Sequence, residues 1–201
     1  MKKKLMLFIL LCFMFILTGC GTPENPIVTM EIENYGTIKM ELYPEYAPNT
    51  VANFVTLIES GFYDGNNFHR LMPGFVLQGG DPNGNGSGGP GYTIRGEFKE
   101  NGFPQNTISH TKGIVSMGRQ ASNYNSVGSQ FFIVLSDDHT FDLDYKYPAF
   151  GKVIEGMDII EKIASEAEIE NTSTGKLKEN ITITKVTVDT KGEQYSVKKN
   201  K

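Results

Sequence analysis

An arginine and a glutamine flank an apolar pair of residues, and this spacing is the feature of the chain that could carry chemistry. Gln78 and Val76 are two residues apart, so they share one face of a β-strand. Arg70 lies across a Pro-Gly turn from Phe75 and Val76. The pattern therefore predicts an apolar pocket that is bordered by an amide and by a cation that stays charged at any ordinary pH.

A second stretch repeats the arrangement, because Gln130 and Phe132 are also two residues apart on a predicted strand. With three further motifs, these stretches resemble the cyclophilin family of peptidyl-prolyl isomerases over residues 27–189. The motifs are APNTVANF at 47–54, GGPGY at 88–92 and FGKV at 150–153.

The resemblance implies a mainly β fold, a closed eight-stranded antiparallel β-barrel capped by two α-helices. It also assigns roles to nine residues and implies no cofactor. The recess for the proline ring falls to Phe75, Val76, Phe132 and Leu143, while Tyr147 lines the pocket. Arg70 and Gln78 become the catalytic pair, with Gln78 supporting Arg70. Gln130 is assigned to the substrate backbone, and Arg119 to a loop that bonds the substrate through its own backbone.

Isomerisation of an Xaa-Pro bond needs no nucleophile and no proton transfer. Its barrier of roughly 18–20 kcal/mol comes from delocalisation of the nitrogen lone pair into the carbonyl. In the twisted state that pair is localised on the prolyl nitrogen, so a fixed donor such as Arg70 favours the transition state. Each residue type also has a plainer explanation. A lone arginine is usually a solvated surface residue, Phe and Leu at strand spacing are usually core, and both glutamines could satisfy buried backbone groups.

The elements that position these residues are visible in the periodicity. Alternation across 28–32 and 38–42 predicts a β-hairpin with one buried face. Pro48 can begin a helix whose apolar stripe is completed by Val51, Phe54, Val55 and Ile58, and a second helix is predicted from Met157. In the last strand the alternation slips by one between Ile183 and Val186, which predicts a β-bulge.

The N-terminal residues 1–19 are interpreted as a signal peptide. Three lysines precede an apolar run of 13 residues from Leu5 to Leu17, which is shorter than the roughly 20 residues needed to span a bilayer. The sequence Leu-Thr-Gly that ends at Gly19 resembles a bacterial lipobox, so Cys20 is the predicted lipidated residue. An ordinary signal peptide or an uncleaved anchor would be the alternatives.

This interpretation divides the chain into a lipidated cysteine and short tether (20–26), one domain (27–190) and a polar, frayed C-terminal tail (191–201). It leaves no pair of cysteines for a disulfide, because Cys12 leaves with the signal and Cys20 carries lipid. Removing the three signal lysines from 19 basic residues leaves 16 against 23 acidic ones, a net charge of −7. We therefore expect no nucleic-acid partner.

Three departures from the family pattern concern the rim of the pocket. Loop 118–127 and segment 137–142 are longer than in many relatives, and the chain contains no tryptophan. Phe141 or Asp142 stands near the position where many members carry a tryptophan. We therefore expect at most weak binding of cyclosporin.

We predict no metal site. Residues 81–86 match the first half of an EF-hand loop, but the twelfth position is Tyr92 instead of glutamate. The histidines His69, His110 and His139 have no metal-ligand spacing, so they are interpreted as structural.

Together these observations predict an exported, lipid-anchored isomerase on the extracytoplasmic face of the cell membrane. It would act as a monomer on unfolded or exported polypeptides that contain proline. Two alternatives from other classes are a surface lipoprotein that binds proline peptides without turnover and a solute receptor of a transport system. The second alternative usually requires two lobes, which a domain of this length does not provide.

Overall fold

The computed structural model describes residues 24–200 of the chain. Within them the strands are β1 Ile27–Ile32, β2 Gly36–Leu42, β3 Asn67–Met72, β4 Val76–Gly79, β5 Ile114–Met117, β6 Phe131–Val134, β7 Ala149–Glu155, β8 Ile169–Asn171 and β9 Lys176–Asp189. The helices are α1 Pro48–Glu59, α2 Thr140–Leu143 and α3 Met157–Glu166. Across residues 24–200, none of the helices has the length and apolar character that a membrane crossing requires.

Eight of these strands close into an antiparallel barrel. The hydrogen-bonded order is β1-β2-β7-β5-β6-β4-β3-β9, and β9 pairs back with β1. The predicted eight-stranded barrel is therefore confirmed. The structure adds the short strand β8, which pairs only with the beginning of β9, and the single-turn helix α2.

Closure depends on the 14-residue strand β9. Its first half pairs with β3 and its second half pairs with β1. Glu31 pairs with Lys185 whereas Ile32 pairs with Ile183, so Thr184 is the extra residue of a bulge. The slip in the sequence pattern thus marks the point where β9 bends from one neighbour to the other.

The two longer helices pack on the barrel through the stripes that their sequences predict. The ring of Phe54 in α1 contacts Phe131 at 5.5 Å and Phe150 at 4.9 Å between centroids. Ile160 and Ile163 of α3 are fully buried. The first amides of a helix have no partner within it, and at α1 the buried Glu97 accepts hydrogen bonds from the backbone of Asn49 and Thr50 at 3.1 and 2.8 Å.

The C-terminal tail is packed against the barrel, so the expectation that it is frayed is wrong for the residues up to Asn200. Tyr195 and Val197 are partly buried on the main core. Asn49 exchanges two hydrogen bonds with the backbone of Lys198, at 2.7 and 3.0 Å. Although the tail is polar in composition, it makes two apolar contacts and specific hydrogen bonds through its backbone.

The predicted signal peptide (1–19) and Cys20 lie outside the described residues. Of the tether 20–26, the structure describes only 24–26. Asn25 donates to the carboxylate of Glu41 at 3.1 Å, and the carbonyl of Pro26 accepts from Leu42 at 2.9 Å. The chain is therefore already held against β2 before β1 begins.

Candidate active site

Strand register brings the predicted site residues side by side. Arg70 on β3 is directly paired with Gln78 on β4, and Gln78 is paired with Phe132 on β6. Directly paired residues of antiparallel strands project from the same face of the sheet. The neighbouring strands β3, β4 and β6 therefore present a cation, an amide and an aromatic ring in one row.

All nine residues that the sequence nominated line one open cavity of about 920 Å³. They are Arg70, Phe75, Val76, Gln78, Arg119, Gln130, Phe132, Leu143 and Tyr147. We call this cavity the groove. The roles of the individual residues in catalysis and binding stay predictions, but their convergence is a property of the fold.

A chain of side-chain hydrogen bonds fixes the polar edge of the groove. Arg70 Nε donates to the carbonyl of Thr174 at 2.8 Å, and Nη1 donates to Gln78 Oε1 at 3.0 Å. Gln78 Nε2 then donates to Gln130 Oε1 at 2.9 Å. Gln130 in turn donates to the carbonyls of Gly86 and Gly88 at 3.0 and 2.9 Å.

This chain of bonds sets the orientation of both amides, because each glutamine uses its oxygen to accept and its nitrogen to donate. Burial lowers the pKa of Arg70, and the phenol of Tyr147 acts weakly in the opposite direction. An arginine nevertheless stays protonated in a protein. Among the described residues, no side chain or carbonyl accepts a hydrogen bond from Nη2, so that nitrogen can donate to a ligand.

The apolar end of the groove is a small hydrophobic cluster, separate from the main core. Val76, Phe132 and Leu143 are buried in it, together with Ile114, Val134 and Ala149. Tyr147 meets Phe132 edge to face at 5.6 Å, and Phe75 packs on the imidazole of His139 at 4.8 Å. This end of the groove is an apolar recess with aromatic walls.

Sequence reasoning missed the polar support beneath the recess. His110 stacks on Phe132 with 6.2 Å between ring centroids. Its Nε2 lies 3.0 Å from Ser116 Oγ, and its Nδ1 lies 2.9 Å from Asp144 Oδ1. The order Ser-His-Asp resembles a hydrolase triad, but Ser116 is fully buried. The three residues therefore position Phe132 and offer no accessible nucleophile.

The side chain of Arg119, for which the resemblance implies no role, is bound within the protein. Its Nε donates to the carbonyl of Lys146 at 2.9 Å, and Nη1 donates to the carbonyls of Gln120 and Ala121 at 3.0 and 3.2 Å. The guanidinium also lies 4.6 Å from the ring centroid of Tyr147. The side chain thus ties loop 118–127 to the segment that carries Tyr147.

Asp81, at the start of the stretch that resembles half of an EF-hand loop, does not line the groove. Asp81 accepts hydrogen bonds from the backbone of Asn83 and Asn85 at 2.8 and 3.0 Å, so its carboxylate orders its own loop. Within residues 24–200, no group of three or more acidic, histidine or cysteine side chains is arranged to hold a metal ion. Phe141 is 85% exposed and does not line the groove.

Comparison with known proteins identifies the family. The family model described as cyclophilin type peptidyl-prolyl cis-trans isomerase matches residues 27–188. The chain belongs to this family. It is 44% identical to peptidyl-prolyl cis-trans isomerase B of Bacillus subtilis over 134 residues, which are 67% of this chain and 87% of that protein. A Helicobacter pylori peptidyl-prolyl cis-trans isomerase is 43% identical over 141 residues, 69% of this chain and 80% of that one.

Solved cyclophilin structures share the fold. A cyclophilin-type isomerase of Cryptosporidium parvum is 31% identical and superposes with a TM-score of 0.71, covering 82% of this chain and 98% of that one. A crystal structure of that protein in the presence of the dipeptide Ala-Pro gives a TM-score of 0.70 at the same identity, over 81% of this chain and 98% of that one. This cyclophilin is therefore a peptidyl-prolyl cis-trans isomerase with the barrel of its family.

We predict that the stability of this cyclophilin falls as the pH drops below about 6.5, the ordinary pKa of histidine. Burial lowers the pKa of His110, against the opposing carboxylate of Asp144, and burial also lowers the pKa of His69. The two histidines therefore become protonated at a higher pH in the unfolded chain than in the folded chain. Their full contribution to stability is present only above the pKa of histidine in the unfolded chain, and it is lost as the pH falls. Each can contribute up to about 1.4 kcal/mol per pH unit.

Urea unfolding at intervals between pH 7 and 5 measures this slope. His69→Gln and His110→Gln should each make the free energy of unfolding less dependent on pH in that interval. Asp81 and Asp144, whose pKa values are lowered by hydrogen bonds despite opposing burial, lose their contribution only below about pH 4. A free energy of unfolding that is constant from pH 7 to 5 in the wild type would contradict the prediction.

Proposed function

We propose that this cyclophilin accelerates Xaa-Pro rotation by electrostatic stabilisation from Arg70. The observation that carries the proposal is the way the guanidinium is held: Nε and Nη1 are occupied by Thr174 and Gln78, while Nη2 is free to donate within residues 24–200. In the twisted transition state the lone pair is localised on the prolyl nitrogen. A fixed, charged donor therefore stabilises this state more than either planar ground state. Gln78 then acts as a positioning residue.

The apolar recess would bind the proline ring while Arg70 acts beside it. Phe132 and Leu143 offer an apolar surface, and Val76 and Phe75 complete the wall. Burial of an apolar ring favours binding without affecting rotation about the bond, so the recess contributes affinity and orientation. Gln130 and Tyr147 border the recess and are the candidates for contact with the substrate backbone.

Arg70→Ala should lower kcat/KM for an Ala-Pro peptide by two to three powers of ten and leave the fold intact. This corresponds to about 3–4 kcal/mol of lost transition-state stabilisation. Arg70→Lys should not restore activity, because a lysine cannot keep both Nε and Nη1 contacts and still present a planar third donor. Exchange NMR measures the rates, and Arg95→Ala is the matched control because Arg95 lies outside the groove.

Retention of most of the wild-type kcat/KM in Arg70→Ala would contradict the electrostatic role. A bell-shaped dependence of kcat/KM on pH between 6 and 8 would also contradict it, since it would require an acid or base that the proposal does not contain.

We further propose that the enzyme is an exported lipoprotein that works on exported, proline-containing polypeptides as a monomer. Support comes from the lysine-rich start, the short apolar run and the small residues that precede Cys20. Cleavage before Cys20 would leave six residues, 21–26, between the lipidated cysteine and β1, a tether that reaches about 20 Å at most. The domain would then remain close to the outer face of the membrane.

Cys20→Ala should abolish incorporation of labelled fatty acid into the protein in growing cells, because it removes the thiol that would carry lipid. Intact-mass spectrometry of the wild type should find a mature chain that begins at modified Cys20. Ser60→Ala, a surface change in the domain, serves as a control for expression. An unmodified N-terminus at another position, or a retained signal peptide, would exclude the lipoprotein assignment.

We also propose weak binding of cyclosporin. The chain has no indole to supply a large apolar face and an N–H donor at the rim, and the exposed ring of Phe141 does not line the groove. Titration of the drug against isomerase activity tests this expectation. Half-inhibition at low nanomolar concentration would contradict it.

A further inference from the structure

The C-terminal segment 195–200 reaches the groove at the end lined by Tyr92 and Thr93. Tyr195 and Val197 attach it to the core, and Asn49 holds the backbone of Lys198 by two hydrogen bonds. The segment is therefore fixed at several points before it reaches the groove.

Asn200 connects two walls of the groove. Its backbone N–H donates to the carbonyl of Thr93 at 2.8 Å, and its side-chain nitrogen lies 2.9 Å from Thr93 Oγ1 and 2.7 Å from the carbonyl of Asn125. Thr93 lines the groove on one side, and Ser126 lines it on the other. The isolated β-bridge between Ile94 and Val127 also joins these walls, and so does Asn53, which bonds both Tyr92 and Gly128. The tail thus adds a further link between them.

Lys199 adds a charge at the same place. Its ammonium lies 3.9 Å from the ring centroid of Tyr92, whose hydroxyl is held by Asn53 at 2.8 Å. The ionisable side chains that line the groove include Arg70 and Arg119 but no aspartate or glutamate. In a chain with a net charge of −4, the groove is therefore a locally cationic surface.

We propose that segment 195–200 is a specificity element of the groove, which steadies its Tyr92–Thr93 end and uses Lys199 to favour peptides with an acidic side chain near the proline. This inference rests on the proposed function of the groove. Lys199 is exposed and donates no hydrogen bond to another residue in 24–200, so its ammonium can contact a ligand.

The test compares Ala-Pro peptides that carry Glu, Gln or Lys two to four residues from the proline, on either side. Full-length protein in detergent should have a higher kcat/KM for at least one Glu peptide than for its Lys counterpart. Lys199→Gln should reduce that ratio by about twofold to fivefold, the effect expected of an exposed charge pair, and Lys199→Glu should reverse it. The wild-type ratio should approach one at high salt.

Lys162→Gln is the matched control. Lys162 lies over the ring of Tyr35 at 5.8 Å, a contact of the same kind, but neither residue lines the groove. A chain truncated after Val197 tests the steadying role, because it keeps the two apolar anchors and removes the bonds of Lys198 and Asn200. Truncation should raise KM and weaken peptide binding more than it lowers kcat.

Equal Glu-to-Lys ratios in the wild type and both Lys199 variants would overturn the inference, even if all of them isomerise peptides. An unchanged KM after truncation would overturn the steadying role. If the wild type isomerises no peptide, the proposed function fails. In that case NMR titration measures the dissociation constants of the same peptides. The Glu-to-Lys ratios of these constants in the wild type and the Lys199 variants then test the inference.

Discussion

In the proposed mechanism the guanidinium of Arg70 must stay charged and stationary while it is half removed from water, and the surroundings of the groove meet this requirement. A partly buried cation is costly unless its donors are satisfied. Here a backbone carbonyl and an amide oxygen take two of them, and no carboxylate does. A carboxylate partner would neutralise the field that a developing lone pair needs, whereas neutral partners leave the charge available.

The position of Arg70 beside the recess depends on neighbouring strands that are buried on both faces. In β6, Phe131 and Ile133 belong to the main core, while Phe132 and Val134 belong to the cluster under the recess. The groove is therefore built on the outside of a wall whose inside is fully packed. Its floor is rigid because a movement of Phe132 would disturb both layers.

Much of this could be predicted from the sequence. The alternation of apolar and polar residues predicts the β1–β2 hairpin and the bulge near Thr184. This works because half-buried strands and amphipathic helices have periodic sequences. The same reasoning is weaker for β5 and β6, whose fully buried runs have no alternation. The family motif with Gln130 and Phe132 predicted β6, whereas no motif marked β5. Nine site residues were nominated and all of them line one groove.

What the sequence could not supply are contacts made by backbone atoms or by distant polar pairs. The carbonyl of Thr174 holds Arg70, yet any residue type would provide it. The support of Phe132 by His110 joins residues that only the folded chain brings together. The docking of the tail depends on Asn49, 149 residues away from Lys198.

The long closing strand has a consequence for the order of events during synthesis. Ile27 at the start of β1 finds its partner Asp189 only when nearly the whole domain has been made. Until then β1 has one unpaired edge, and the barrel cannot close from its N-terminal part alone. Non-local pairing of this kind makes folding slow and leaves open strand edges prone to aggregation. An isomerase of this fold would thus itself pass through a state with an open strand edge before its barrel closes.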